Sequence, residues 1–130
     1  MGSLFDSFGV SASGMEAQAR RLRHVSENIA NADTPGYRRK TIDFRTELDR
    51  ASGTTRVATG PVQLDRRELP LIYDPGHALA DEMGFYRGST VDLMIEVADA
   101  REAGRSYEAN LRMFDQTRQM AQGLLDLLRR

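Results

Sequence analysis

The chain has 130 residues, 40% of them apolar and 28% charged, with a formal net charge of −1 and no cysteine. That length holds one domain and excludes a multi-domain enzyme, while the polar balance points to an elongated molecule with much surface and little core. Near-zero charge excludes a chain-wide field for nucleic acid or an anionic membrane, and the missing cysteines exclude disulfides, thiolate nucleophiles and cysteine-ligated zinc or iron–sulfur centres.

The opening segment MGSLFDSFGV has no basic stretch ahead of an apolar run, so no cleavable secretory signal is expected. No apolar run reaches the roughly 18 residues of a membrane-spanning helix, so no direct membrane insertion is expected either. From here the pattern is helical. Phe8, Met15, Leu22 and Ile29 recur at heptad spacing, with Leu4, Ser11, Gln18, Val25 and Ala32 on the companion row. This predicts a helix over residues 4–32 with a coiled-coil seam. Glu16 and Arg20 form a favourable i,i+4 pair, whereas Gly9 and Gly14 each weaken the helix by about 1 kcal/mol relative to Ala.

Asn28-Ile29-Ala30-Asn31-Ala32-Asp33-Thr34-Pro35-Gly36-Tyr37 ends that helix. Asn28 and Asn31 lie on one helical face, where their amides can bond backbone carbonyls or a neighbouring chain. Pro35 cannot continue the helix, and Gly36 can adopt the positive φ of a type II turn. Two readings stay open at this point: a plain helix stop, or a specific packing site.

All four prolines and several glycines fall between residues 33 and 88. Thr41-Ile42-Asp43-Phe44 and Pro61-Val62-Gln63-Leu64-Asp65 alternate apolar with polar, and Leu69–Tyr73 is a short apolar run, so this middle reads as short strands or an extended arm. Residues 51–60, ASGTTRVATG, are expected to be a mobile loop. Asp74-Pro75-Gly76-His77 reads as a type II turn. With Asp81 and Glu82 it is the nearest approach to a metal or acid–base cluster, but one histidine without a helical partner is a poor ligand pattern.

The last segment returns to heptads. Val97, Gly104, Leu111, Arg118 and Leu125 occupy one row, and Leu93, Ala100, Tyr107, Phe114, Ala121 and Leu128 the other. A helix over residues 90–129 follows, with Ser89 and Asp92 available to cap its start and Arg129 and Arg130 complementing its negative end. The fold class is therefore mainly α: two long terminal helices paired as a coiled coil, with a small extended or β central segment. The seams are thin for two isolated helices, and neighbouring copies are the expected source of the missing contacts.

No phosphate loop, dinucleotide fingerprint or serine elbow appears, so no catalytic residue, metal or cofactor is expected, and the chain does not read as an enzyme. His24 reads as a helix-surface side chain. Arg20, Arg21, Arg23, Arg38, Arg39 and Lys40 form a basic cluster, read as protein-facing salt bridges because Asp33, Asp43 and Glu47 interrupt it; a small nucleic-acid-binding helical protein is the alternative.

The segment NIANADTPGY resembles the N-terminal signature of the rod and hook family, the axial proteins of the bacterial flagellum. SASGMEAQ before it, YRRKTIDF after it, LIYDPGHALAD in the middle and GRSYEANL near the end resemble the proximal-rod members of that family. Two sister proteins there share the first signature and the IDF segment, and the DPGH turn and SYEAN favour one of the two. The resemblance implies a structural subunit that is exported unfolded by the flagellar type III apparatus. It also implies assembly with itself, with other rod proteins and with basal-body ring components into a helical rod crossing the periplasm. Residues 1–32 plus 89–130 would form an inner-tube unit and 33–88 an outer one. Asn28, Ala30, Asn31, Thr34, Gly36 and Tyr37 match the family signature, and Tyr107, Ala109 and Asn110 the C-terminal one; these are the expected subunit-packing residues.

Overall fold

The computed structural model describes residues 2–129. Its elements are α1 (Gly2–Ala30), β1 (Lys40–Thr41), β2 (Phe44–Asp49), β3 (Thr54–Thr59), β4 (Gln63–Leu64), β5 (Leu71–Tyr73), β6 (Phe85–Arg87) and α2 (Leu93–Leu128). At about 1.5 Å per residue the helices, of 29 and 36 residues, are rods of roughly 43 and 54 Å. Neither is long and apolar enough to cross a membrane.

The helices pair antiparallel. Phe8 meets Phe114 edge-on with ring centroids 4.9 Å apart, Gly14 lies under Asn110, Arg21 reaches Asp99, and Asn28 reaches Glu96. The predicted mainly α architecture with a small β part is the one observed, and the predicted seam supplies part of the contact face, through the Phe8–Phe114 pair and the buried Ser11 and Val25. Most of the buried positions are small or polar: Ser11, Gly14, Ala17 and Asn28 on α1, with Val25, and Glu96, Ala103 and Thr117 on α2. Gly14 sets the spacing, because a Cβ there would stand 2.6 Å from the Asn110 Oδ1. Of the seam residues, Phe8, Met15, Leu22 and Phe114 are half-buried, whereas Ile29, Val97, Leu111 and Leu125 remain exposed. Small residues let the helices approach along one face of each, so that the larger apolar row lies at the edge of the contact and is covered only in part. Phe8 and Leu125 also line a small apolar cavity of about 200 Å³ with Leu4, Phe5 and Leu128.

Both helix ends have local causes. Asp92 caps α2, its side chain accepting from the Met94 backbone N–H at 3.0 Å. Ser89, the other expected cap, is used differently: its hydroxyl donates to the Ala32 carbonyl and so ties the start of α2 to the end of α1. At the far end Arg129 is the C-cap, with its N–H donating to the Leu125 carbonyl; Arg130 lies outside the described residues.

Three two-stranded antiparallel ladders, β1–β4, β2–β3 and β5–β6, fill the middle. The second corrects the expected mobile loop at 51–60. Residues 54–59 form β3, paired with β2 from Asp49↔Thr54 to Phe44↔Thr59. Thr54, Thr55, Val57 and Thr59 are β-branched and favour a strand, and only Ala51–Gly53 turn, with Gly53 at φ +73. The hairpin lies on α1, where Ser13 Oγ accepts from the Val57 N–H at 3.1 Å and Arg20 donates to Thr59 Oγ1 at 3.0 Å.

The Asp74–His77 turn is present, with the His77 N–H donating to the Asp74 carbonyl at 3.0 Å. It is not type II, however: Gly76 stays out of the left-handed region, and the Asp74 carboxylate accepts from the Gly76 N–H at 3.2 Å. Local side-chain bonding selects the alternative turn.

Candidate assembly site at the signature turn

The signature residues surround the junction of α1, the Thr34–Tyr37 turn and the first turn of α2. Asn28 is completely buried. Its amide donates to the Lys40 carbonyl at 2.9 Å and to Glu96 Oε2 at 3.2 Å. Its Oδ1 accepts from the Tyr37 hydroxyl at 2.8 Å and from the Lys40 N–H at 2.9 Å. Every hydrogen-bonding site of one side chain thus ties three segments together. Burial raises the Tyr37 phenol above its ordinary pKa, which keeps it protonated as donor.

Asn31 turns the other way. Its amide donates to the Glu27 carbonyl at 2.9 Å and its Oδ1 accepts from Thr34 Oγ1 at 3.1 Å. The Tyr37 N–H closes the turn on the Thr34 carbonyl at 3.1 Å, and Gly36, at φ +77, donates to the Gly88 carbonyl. Ala30 is exposed in the last turn of α1. The three C-terminal signature residues lie elsewhere: Tyr107 and Ala109 are exposed on α2, and Asn110 bonds the Ser106 carbonyl opposite Gly14.

No atom lies within 4 Å of a Cβ added at Gly36, so Gly36→Val acts only through its backbone. A β-branched residue held at positive φ costs on the order of 1–3 kcal/mol. We expect Gly36→Val to lower the thermal midpoint and to abolish swimming, while Gly36→Asn, which tolerates that region, keeps most of both. Melting curves and soft-agar halos check this.

Glu96 is the residue the sequence did not point to. Fully buried, it accepts from Arg39 Nε at 2.5 Å as well as from Asn28. Arg39 continues to Asp99 at 2.7 Å, and Arg21 bridges Asp99 and Glu102. Lys40 pairs with Glu27 at 2.6 Å. An acid in the first turn of a helix reads as dipole complement, which concealed this role. Most of the basic cluster is spent on carboxylates of this chain, as the salt-bridge reading expects; Arg38 instead donates to the Asp65 and Arg67 carbonyls. His24 departs from its expected place on the helix surface. Only 19% of its side chain is exposed, and its Nδ1 is buried without a hydrogen-bond partner. Among the described residues no group of His, Asp and Glu could hold a metal ion.

Three carboxyls are held below their ordinary range: Glu27 by the hydrogen bond from Lys40, Asp65 by that from Arg67, and Asp49 by the Ala51 backbone N–H. A depressed folded-state pKa stabilises the fold above the unfolded value and loses that effect as pH falls through the folded one. We therefore expect the thermal midpoint to be flat from neutrality to about pH 5 and to drop below about pH 4. Melts across a pH series measure it.

Comparison with known proteins agrees with this arrangement. The family model for flagella basal body rod proteins matches residues 8–38, covering the signature turn, and that for the C-terminal region of the flagellar basal body rod FlgEFG proteins matches 82–127. The flagellar basal-body rod protein FlgC of Agrobacterium fabrum is 48% identical over 127 residues, covering 92% of this chain and 91% of that protein. FlgC of Salmonella typhimurium is 30% identical, covering 91% and 92% respectively, and FlgC of Aquifex aeolicus 34%, covering 92% and 93%. The chain thus belongs to the FlgC family of flagellar basal-body rod proteins, and its function is that of a structural subunit of the rod.

Proposed function

We propose that this subunit polymerises through its terminal helices into the wall of a helical tube, the proximal rod, which carries torque across the periplasm. The observation that supports this most directly is the outward apolar row. Val97, Leu111 and Leu125 are 45%, 41% and 46% exposed on one long helix whose buried positions are Glu96, Ala103 and Thr117. A row of large apolar side chains left uncovered on a single chain marks a protein-binding face. Patches that differ on the two sides of a subunit make heterologous contacts, which propagate into an open helix.

In this reading residues 1–32 and 89–130 form the inner tube and 33–88 the outer layer. Asn28, Asn31, Thr34, Gly36 and Tyr37 fix the angle at which the outer layer leaves the tube. Ala30, Tyr107 and Ala109, all exposed, face neighbouring subunits, and Asn110 sets the spacing of the helix pair. Other rod proteins and basal-body ring components are the neighbours, and the flagellar type III apparatus is the export route. Nothing in this mechanism needs a catalytic group: the tube must resist twist, and paired helices with a satisfied polar joint do so.

The test is a strain lacking this chain, complemented with an epitope-tagged copy. The deletion is expected to be non-motile, and the tagged chain to restore swimming and to co-purify with detergent-extracted basal bodies. A tagged chain that restores swimming yet is absent from the purified basal bodies overturns the reading.

A further inference from the structure

Behind β1 and β4 lies an open groove of about 1080 Å³. Its lining includes Arg38, Arg66 and Arg67, with the single carboxylate Asp65, and the apolar Val62, Leu64 and Ile95, all three of them exposed. Arg38 and Arg67 are partly used, on the Asp65 and Arg67 carbonyls and on the Asp65 carboxylate. Arg66 is exposed and, among the described residues, makes no ion pair. The groove thus offers positive charge beside uncovered apolar surface.

The complement lies on the same chain, at the tip joining β5 to β6. There Asp74, Asp81 and Glu82 stand beside Leu79 and Met83, the last two among the most exposed apolar side chains of the central segment. Glu82, like Arg66, has no ionic partner among the described residues. The tip is stiff: His77 stacks on Tyr86 at 3.9 Å, Tyr73 packs on Phe85 at 5.1 Å, and Asp81 accepts from the Met83 and Phe85 N–H groups. A preformed element loses little entropy on docking. No residue between 74 and 84 lines the groove of its own chain.

We infer that the acidic, apolar tip at residues 74–84 of one subunit docks into the arginine-lined groove of a second copy of this chain. The reason for a second copy is that this chain carries both halves of the match, charge against charge and apolar against apolar, while its tip lines no part of its own groove. Docking head to tail leaves one free tip and one free groove at the ends, so the contact repeats. It would lace the outer layer together independently of the helices, and its ionic part would weaken with salt. This rests on the rod reading, and the experiment separates the two.

The native chain has no cysteine, so introduced thiols are unique. Cells carry Arg66→Cys, Glu82→Cys or both, and isolated basal bodies are treated with a short bis-maleimide. The double variant is expected to give dimers and higher multimers on denaturing gels, and each single variant monomers only. Monomers alone from basal bodies that contain the double variant overturn the tip-to-groove contact and leave the rod reading intact. A cross-link to a protein of different mass also overturns it, since the occupant is then not a second copy. Absence of the chain from basal bodies removes both.

Charge exchange gives a second measurement that needs no thiol. Arg66→Glu and Glu82→Arg alter exposed side chains that make no ion pair among the described residues, so the folded chain is expected to keep its thermal midpoint. Each alone should shrink the swimming halo, and the two together should restore it. A combined variant no better than the worse single one counts against the contact.

Discussion

Asn28→Ala is expected to be among the most damaging single substitutions in the chain, costing about 3–5 kcal/mol of stability and eliminating motility. The change deletes few atoms but strands several partners. Glu96, fully buried, loses the amide that satisfies Oε2; the Lys40 backbone loses a partner for both its N–H and its C=O; and the Tyr37 hydroxyl loses its acceptor. A stranded buried polar group costs roughly 1–3 kcal/mol, more when charged, against a total stability of about 5–15 kcal/mol for a typical domain. Asn28→Asp has the same shape and should do no better at neutral pH. It loses both donors and sets a second carboxylate where the amide now stands, 3.2 Å from Glu96. Denaturant titration of the purified variants reads the loss as a shift in midpoint; an Asn28→Ala chain within about 1 kcal/mol of the wild type would contradict this account of the junction.

Arg39→Met is the second. Its guanidinium spans the two carboxylates of the first turns of α2, Glu96 at 2.5 Å and Asp99 at 2.7 Å. Removing one member of a buried ion pair leaves an uncompensated charge and typically costs about 3–5 kcal/mol. Arg39→Lys should recover only part of this, because a single ammonium cannot reproduce the two-pronged contact. Combining Arg39→Met with Glu96→Leu should be milder than Arg39→Met alone, since no unpaired charge is left at Glu96, but short of neutral, since one Asn28 donor loses its Glu96 acceptor and Asp99 its Arg39 partner. The double-mutant cycle, measured by denaturant unfolding, gives the coupling directly.

What the sequence announced and what it concealed divide along physical lines. The helices were legible because heptad spacing persists through each, and the stop between Asn31 and Tyr37 because Pro35 and Gly36 each have a single backbone consequence. Which face pairs was legible only in part, at Phe8, Ser11, Val25 and Phe114. Apolar periodicity marks the side of a helix that seeks burial, but it does not say in what; here Gly14, Ala17 and Ala103 permit a closer approach on the neighbouring face. β3 was obscured because the small residues around it resemble a loop, while its β-branched positions needed the partner β2 to become decisive. Glu96 was hidden because its partners, Asn28 and Arg39, are distant in sequence, and a lone acid near a helix start has an ordinary explanation of its own.

The polar contents of the helix contact have a mechanical consequence. Two helices joined by a uniform greasy stripe can slide past one another by a heptad, about 10 Å, and recover nearly the same contacts. Here such a slide would draw Asn110 off Gly14 and carry Glu96 away from Asn28, abandoning a charge in the interior. The pair behaves as a keyed shaft, with one permitted setting, and a load applied along it is passed on rather than absorbed as slippage.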